Sequence, residues 1–334
     1  MMEEVHKPRI WLATIGYAGL FATCFVLFAY WTFPYERLSA LAVDRVAQSG
    51  SGYDLSIGRL APYWLTGVEL TDVKLQKRAD SPADVKAAAA SALQVQSMRA
   101  RLALLPLLWG ARSVTFDASL EQGELSGTYV QGGDAKTLVG ELSRLNVGKL
   151  GVLDSVLSVP VVGELTGAFD LTLAKEAVKS AGTVQLTLKG LVIGDGKAKQ
   201  KLGSMGGLTI DPIDVGDLRV ALEVKDGSGA ITELRSNGKD LKLEGKGDIR
   251  LSDPIARSRL NLLLRAQFTD AYKQKSPRTQ TMFSFIDSSP EAATAKTPDG
   301  AFQLRLSGLL SSIRAQPMGS APFQVPTSSA EGNQ

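Results

Sequence analysis

The sequence predicts a mainly β protein: an N-terminal transmembrane helix, then an antiparallel β-sheet domain with a few short helices. Three observations carry this. One uncharged apolar run opens the chain, period-two alternation of apolar and polar residues fills most of the rest, and 33 glycines accompany only 7% aromatic residues, a composition of short strands broken by tight turns. The 334 residues suffice for one large domain or two ordinary ones.

The apolar run, from Ile10 to Trp31, is IWLATIGYAGLFATCFVLFAYW. At 1.5 Å per residue it covers roughly the 30 Å hydrocarbon layer of a bilayer. Trp11 at one end and Trp31 at the other fall at the headgroup levels, where amphipathic rings settle, with Leu20 and Phe28 in the hydrocarbon between them. Lys7 and Arg9 precede the run, which keeps the amino terminus cytoplasmic and sends everything after Pro34 across the membrane. A cleaved signal peptide is the rival, but the run is longer than an h-region and no small-x-small site follows it. Cys24 reads as an apolar cysteine within a spanning helix, and His6 as a solvated side chain in a short tail.

Tyr35 onward, YERLSALAVDRVAQ, has helical spacing, with Pro34 before it and Gly50 as a stop. It is expected to be a juxtamembrane stalk. Two or three short strands follow over 53–76, with turns expected at Ala61-Pro62 and Thr66-Gly67. The alanine-rich 79–92 segment is left between loop and surface helix. In LQVQSMRARL, Leu93, Val95 and Ser97 are expected on one face and Gln94, Gln96 and Met98 on the other. ALLPLLWG then reads as an apolar corner whose Trp109-Gly110 end packs on the sheet.

Glycine-led strands recur in GELSGTYV, GELTGAFDLTL, GTVQLTLKG and GAFQLRLSG, too irregularly spaced for a solenoid. In the third, Val184, Leu186 and Leu188 share one face, opposed by Gln185, Thr187 and Lys189. In LRVALEVKDGSG, Leu218, Val220 and Leu222 oppose Arg219 and Glu223. These six apolar residues are the candidate groove or core face. Residues 276–298 break the pattern and are expected to be a loop or short helix capping the sheet, and 316–334 a disordered tail. The expected organisation is a cytoplasmic tail (1–9), the spanning helix (10–32), the juxtamembrane helix (33–50), a β-rich domain (51–315) and the tail.

Charge and composition exclude several functions. Lys plus Arg 37 against Asp plus Glu 34 gives +3, too little to argue for nucleic acid. One His and one Cys leave no His/Cys metal cluster, no intramolecular disulfide and no nucleophile-base pair built on a domain histidine. The expectation is no enzyme, no cofactor and no metal. GKAKQKLGSMGG lacks the ending of a phosphate-binding loop. GDGKAKQK reads as a solvated hairpin tip, with contact to anionic headgroups as the sharper alternative. Asp211, Asp214 and Asp217 read as turn residues rather than calcium ligands.

Beyond the residue patterns, the span running into FPYERL, then LAPYWLTGVELTDVKL, LALLPLLWGARSVTFDASLEQGELSGTY, GELTGAFDL and DGAFQLRLSGLLSSIRAQP resembles the N component (GspN) family of type II secretion systems. The strand, corner, strand unit LQVQSMRARLALLPLLWGARSVTFDASLEQGELSG is also similar to AsmA-like proteins. The first resemblance implies a non-enzymatic periplasmic component anchored in the bacterial inner membrane. It would associate with other inner-membrane components of the secretion apparatus and support export of folded proteins. The second implies a sheet curved into an open trough or half-barrel that carries acyl chains of phospholipid or lipopolysaccharide. Under it, Val184, Leu186, Leu188, Leu218, Val220 and Leu222 would face lipid; the alternative for the same residues is a closed core.

Overall fold

A computed structural model describes residues 8–32, 35–48, 53–64, 66–77, 93–150, 160–176, 179–197, 199–202, 205–209, 211–252, 257–310 and 312–319. The apolar run forms helix α1, Pro8–Thr32, with 25 residues. Its large apolar side chains, Trp11, Ile15, Leu20, Phe21, Phe25 and Phe28 among them, are exposed on all sides. Thr23 and Thr32 donate their hydroxyls to the Gly19 and Phe28 carbonyls within the helix, the arrangement by which such residues hide polarity in an apolar medium. Counted over the described residues alone, no helix is long and apolar enough to cross a membrane. Lys7 lies outside the described residues. Helix α2, Tyr35–Gln48, packs along the first strand.

Fourteen strands then form one antiparallel sheet in which every strand lies beside its neighbour in sequence. Its first members are β1 (Tyr53–Tyr63), β2 (Gly67–Lys77), β3 (Leu93–Ala103), β4 (Arg112–Leu120), β5 (Glu124–Gly132), β6 (Ala135–Asn146), β7 (Val161–Ala174) and β8 (Ala181–Ile193). A separate hairpin, β9 (Lys199–Leu202) and β10 (Met205–Thr209), intervenes. The sheet resumes with β11 (Ile213–Lys225), β12 (Ser228–Asn237), β13 (Leu241–Arg250), β14 (Arg259–Phe268), β15 (Phe302–Leu309) and β16 (Ser312–Pro317). At the usual strand spacing the sheet extends about 60 Å along its hydrogen-bonding direction.

Alternation makes the two faces different. Residues directly opposite on adjacent antiparallel strands project to the same side. Phe116, Gly127, Gly140, Phe169, Val184 and Leu222 are such successive partners from β4 to β11. A parallel rung runs Leu125, Leu142, Gly167, Leu186, Val220 and Leu234. On the reverse side the corresponding rung is Glu69, Arg99, Asp117, Ser126 and Glu141. The Arg99 guanidinium donates to Glu69 at 2.8 Å.

Two buried clusters occupy opposite ends of the later strands. One joins Val161, Leu188, Ile213 and Val215 to Tyr272, Met282 and Phe283. The last three come from α3 (Asp270–Lys273) and α4 (Pro277–Ser288), which with α5 (Pro290–Ala295) cover that end. Phe268 stacks on Tyr272 at 5.7 Å and meets Phe283 edge-on at 5.1 Å. The other cluster is Val224, Ile249 and Leu251.

The 276–298 segment is thus helical and capping, its start fixed by residues far away in sequence. Ser276 caps α4 by accepting from the Thr279 amide at 3.2 Å. The Asp211 carboxylate accepts from both hydroxyls, that of Thr279 at 2.8 Å. Tyr272 donates to the Asp211 carbonyl at 2.9 Å, and Lys275 reaches the Asp240 carboxylate at 3.0 Å.

Four expectations need correction. Ala61 and Pro62 lie inside β1, and the turn includes Trp64 and Thr66; an edge strand tolerates proline. On β3 the faces switch midway, because a bulge between Val95 and Ser97 puts Met98 opposite Leu70 and Ala118 on the apolar side. Gln316 and Pro317 belong to β16 rather than to a tail, pairing with Arg305 and Leu304. Trp109 does not pack on the sheet; it is 79% exposed. The alanine-rich 79–92 segment and the tail beyond 319 lie outside the described residues, as does most of 149–158.

The Asp211 latch gives a test. Hydrogen bonds from Ser276 and Thr279 hold its carboxyl below the usual carboxylate range, so the charged form stabilises the fold at neutral pH. Asp211→Ala is expected to cost about 1 kcal/mol at pH 7. The difference from wild type should shrink as pH falls below the ordinary carboxylate value and vanish below the folded one. Urea unfolding of both proteins between pH 7 and 3 measures it; a difference constant over that range rejects the latch.

Candidate functional site: an uncovered apolar sheet face

The six candidate face residues come together. Val184, Leu186 and Leu188 on β8 are the direct partners of Leu222, Val220 and Leu218 on β11. Their sequence-opposed neighbours Gln185 and Thr187 pair with Ala221 and Arg219 on the other side.

Their burial separates them. Only Leu188 is fully buried, within the helix-capped cluster; the other five are half-buried. The same holds along both central rungs, where Phe116, Leu125, Leu142 and Phe169 are also half-buried. Among the described residues, strands β1 to β6 contribute only Val73, Ala118 and Leu145 to the buried apolar set. Among the described residues no second layer covers this face between its two end clusters. A sheet with an apolar face normally buries it against another element, so the bare stretch is the notable feature.

Glycine shapes it. Phe116 lies opposite Gly127, Phe169 opposite Gly140, and Leu186 opposite Gly167. A Cβ on these glycines would come within 2.8, 2.6 and 2.8 Å of the opposing side chains. Each bulky residue therefore lies over its neighbour's bare backbone.

The remaining candidates have structural roles. Asp214 accepts from its own Gly216 amide and Asp217 from the Gly190 amide, both at 2.9 Å. Both lie inside β11, where the register with β8 shifts around Gly216, so they support a bulge within the sheet rather than the turns their spacing predicts. Among the described residues no group of three or more His, Cys, Asp or Glu is placed to hold a metal ion. Trp11, Leu20 and Phe28 are exposed on α1; Arg9 and Trp31 lie within the same helix.

Sequence reasoning missed the arginine-rich hollow on the polar face near the sheet's end, where Arg250, Arg259, Arg305 and Arg314 gather around Asp248 and Asn261. The register partners Arg250 and Arg259 come from separate strands, so no linear motif announces them. Arg305 donates to Asn261, which donates in turn to Asp248.

No protein-family model, no curated protein and no solved structure matches this chain.

A charge placed along β8 should rank its positions. Leu188→Asp should be the most destabilising, by about 3 kcal/mol, because it leaves an unpaired carboxylate in a closed cluster. Leu186→Asp should cost less and Thr187→Asp within about 0.5 kcal/mol of nothing. Urea midpoints of the three variants give the order; equal losses at Leu186 and Leu188 would mean the central face is sealed.

Proposed function

We propose that this chain is a non-enzymatic, membrane-tethered β protein whose uncovered sheet face holds the acyl chains of lipids. The observation that carries the reading is the run of half-buried apolar rungs through Leu186 and Val220, closed at its ends and bare between. Water is a poor solvent for such a surface, at roughly 25 cal/mol per Å2 exposed. Chains of CH2 groups suit it because they need no directional partner. The bulky-over-glycine pairs leave room for this face to be concave, as a trough requires.

The reading places α1 in the bacterial inner membrane with the amino terminus cytoplasmic and the sheet periplasmic. Its support is a 25-residue helix with apolar side chains exposed all round and threonines bonded to its own backbone. The secretion-system reading rests on the resemblance to the GspN family. It would use the polar face or the strand edges as docking surface.

A photo-crosslinking residue at Leu186 in the full chain, irradiated in cells, tests the proposal, with Thr187 as control. The expected adducts are lipid at Leu186 and none at Thr187. Adducts confined to the chain itself at Leu186 would overturn the lipid reading, and secretion components captured at Thr187 would then favour the docking one.

A further inference from the structure

The β3–β4 connection is an apolar knob whose leucines and tryptophan are left uncovered by the described residues. Leu104, Leu105, Leu107, Leu108 and Trp109 are all exposed, Leu108 by 76%. The knob is nevertheless ordered. The amides of Leu108, Trp109 and Gly110 donate to the carbonyls of Leu105, Pro106 and Leu107, each at 3.1 Å, and Ala111 donates to Pro106 at 3.0 Å. A loop whose amides are paired internally and whose leucines point outward suits an apolar medium.

Its surroundings name the medium. Trp64, 70% exposed, stands in the β1–β2 turn beside it, and the Leu102 amide ties the two loops by donating to the Thr66 carbonyl at 3.2 Å. The Arg101 guanidinium lies 5.7 Å over the Trp64 ring and 5.3 Å over that of Tyr63. Exposed Arg112 stands at the other foot of the knob. No acidic residue occurs from 100 to 116. Leucines at the tip, tryptophans at the shoulder and arginines below form the order of a bilayer interface read from hydrocarbon to phosphate.

Helix α2, which follows α1 in the chain, packs against β1, and β1 ends at Tyr63 next to Trp64. The knob also stands directly on the rung Leu102–Val114, which continues through Tyr129 and Leu138 along the apolar face.

We infer that Leu104–Trp109, with Trp64, is a second membrane contact. It dips into the phospholipid interface of the bilayer that α1 crosses and sets the mouth of the apolar face against that surface. The inference rests on the reading of α1 as a membrane helix, and its test separates the two.

The full chain carries one cysteine, Cys24, in the middle of α1. An environment-sensitive dye on Cys24, or on Leu108→Cys, Asp226→Cys or Gln122→Cys in a Cys24→Ser background, is followed in phosphatidylcholine–phosphatidylglycerol vesicles containing a nitroxide-labelled lipid. Asp226 controls for the same end of the sheet farther along, and Gln122 for the opposite end. The expected result is loss of emission at Cys24 and Leu108 and none at the two controls. Quenching at Cys24 without quenching at Leu108 would overturn the knob contact while leaving the anchor in place. Absence of quenching at both would remove the anchor and the knob together. Crosslinking of Leu108→Cys to a second copy without quenching would make the knob an interface between chains instead.

Discussion

The structure depends on keeping one phase. Side chains alternate with period two along each strand, so a one-residue slip at any ladder would turn apolar groups to the wet side from that strand onward. Across fourteen strands the phase is maintained by inserted irregularities rather than by uniform pairing. Asp72 and Arg144 adopt positive φ, at 56° and 51°. Both lie where the apolar set changes from even to odd positions, from Leu70 to Val73 and from Leu142 to Leu145. Gly190 and Gly216, also at positive φ, accompany the register shifts on β8 and β11.

Two kinds of apolar surface result. At its ends the sheet is closed in the ordinary way, by aromatic packing of Phe268, Tyr272 and Phe283 and by the Val224 cluster. Between them, and over most of the first six strands, the face is left half-covered. Helix α1 and the β3–β4 knob are likewise apolar and, among the described residues, without protein cover. One helix, α2, lies between α1 and the sheet in the chain.

The faces of the strands were legible because alternation depends only on local geometry. Val184, Leu186 and Leu188 could be assigned to one side from nine residues of sequence. Their cross-strand partners on β11 could not, since nothing local encodes which strands meet. The β3 assignment failed for a related reason: the bulge at Gln96 answers to β4, not to the β3 sequence. Trp109 was misplaced because apolar residues in a turn are read by default as packed, and sequence does not state the solvent. The helices after Ser276 were obscured by their polar composition; their start is fixed through Asp211, 65 residues upstream.

Because each strand of the large sheet pairs with its sequence neighbour, β9 and β10 aside, no ladder waits for a distant part of the chain. The sheet is able to assemble vectorially, each new strand closing on the growing edge as the polypeptide emerges, with little loop entropy lost at each step. Length then becomes an additive property. Loss of the first hairpin, β1 and β2, would shorten the sheet at its edge and leave the later ladders and the helix-capped cluster intact, since that cluster takes no residue from it.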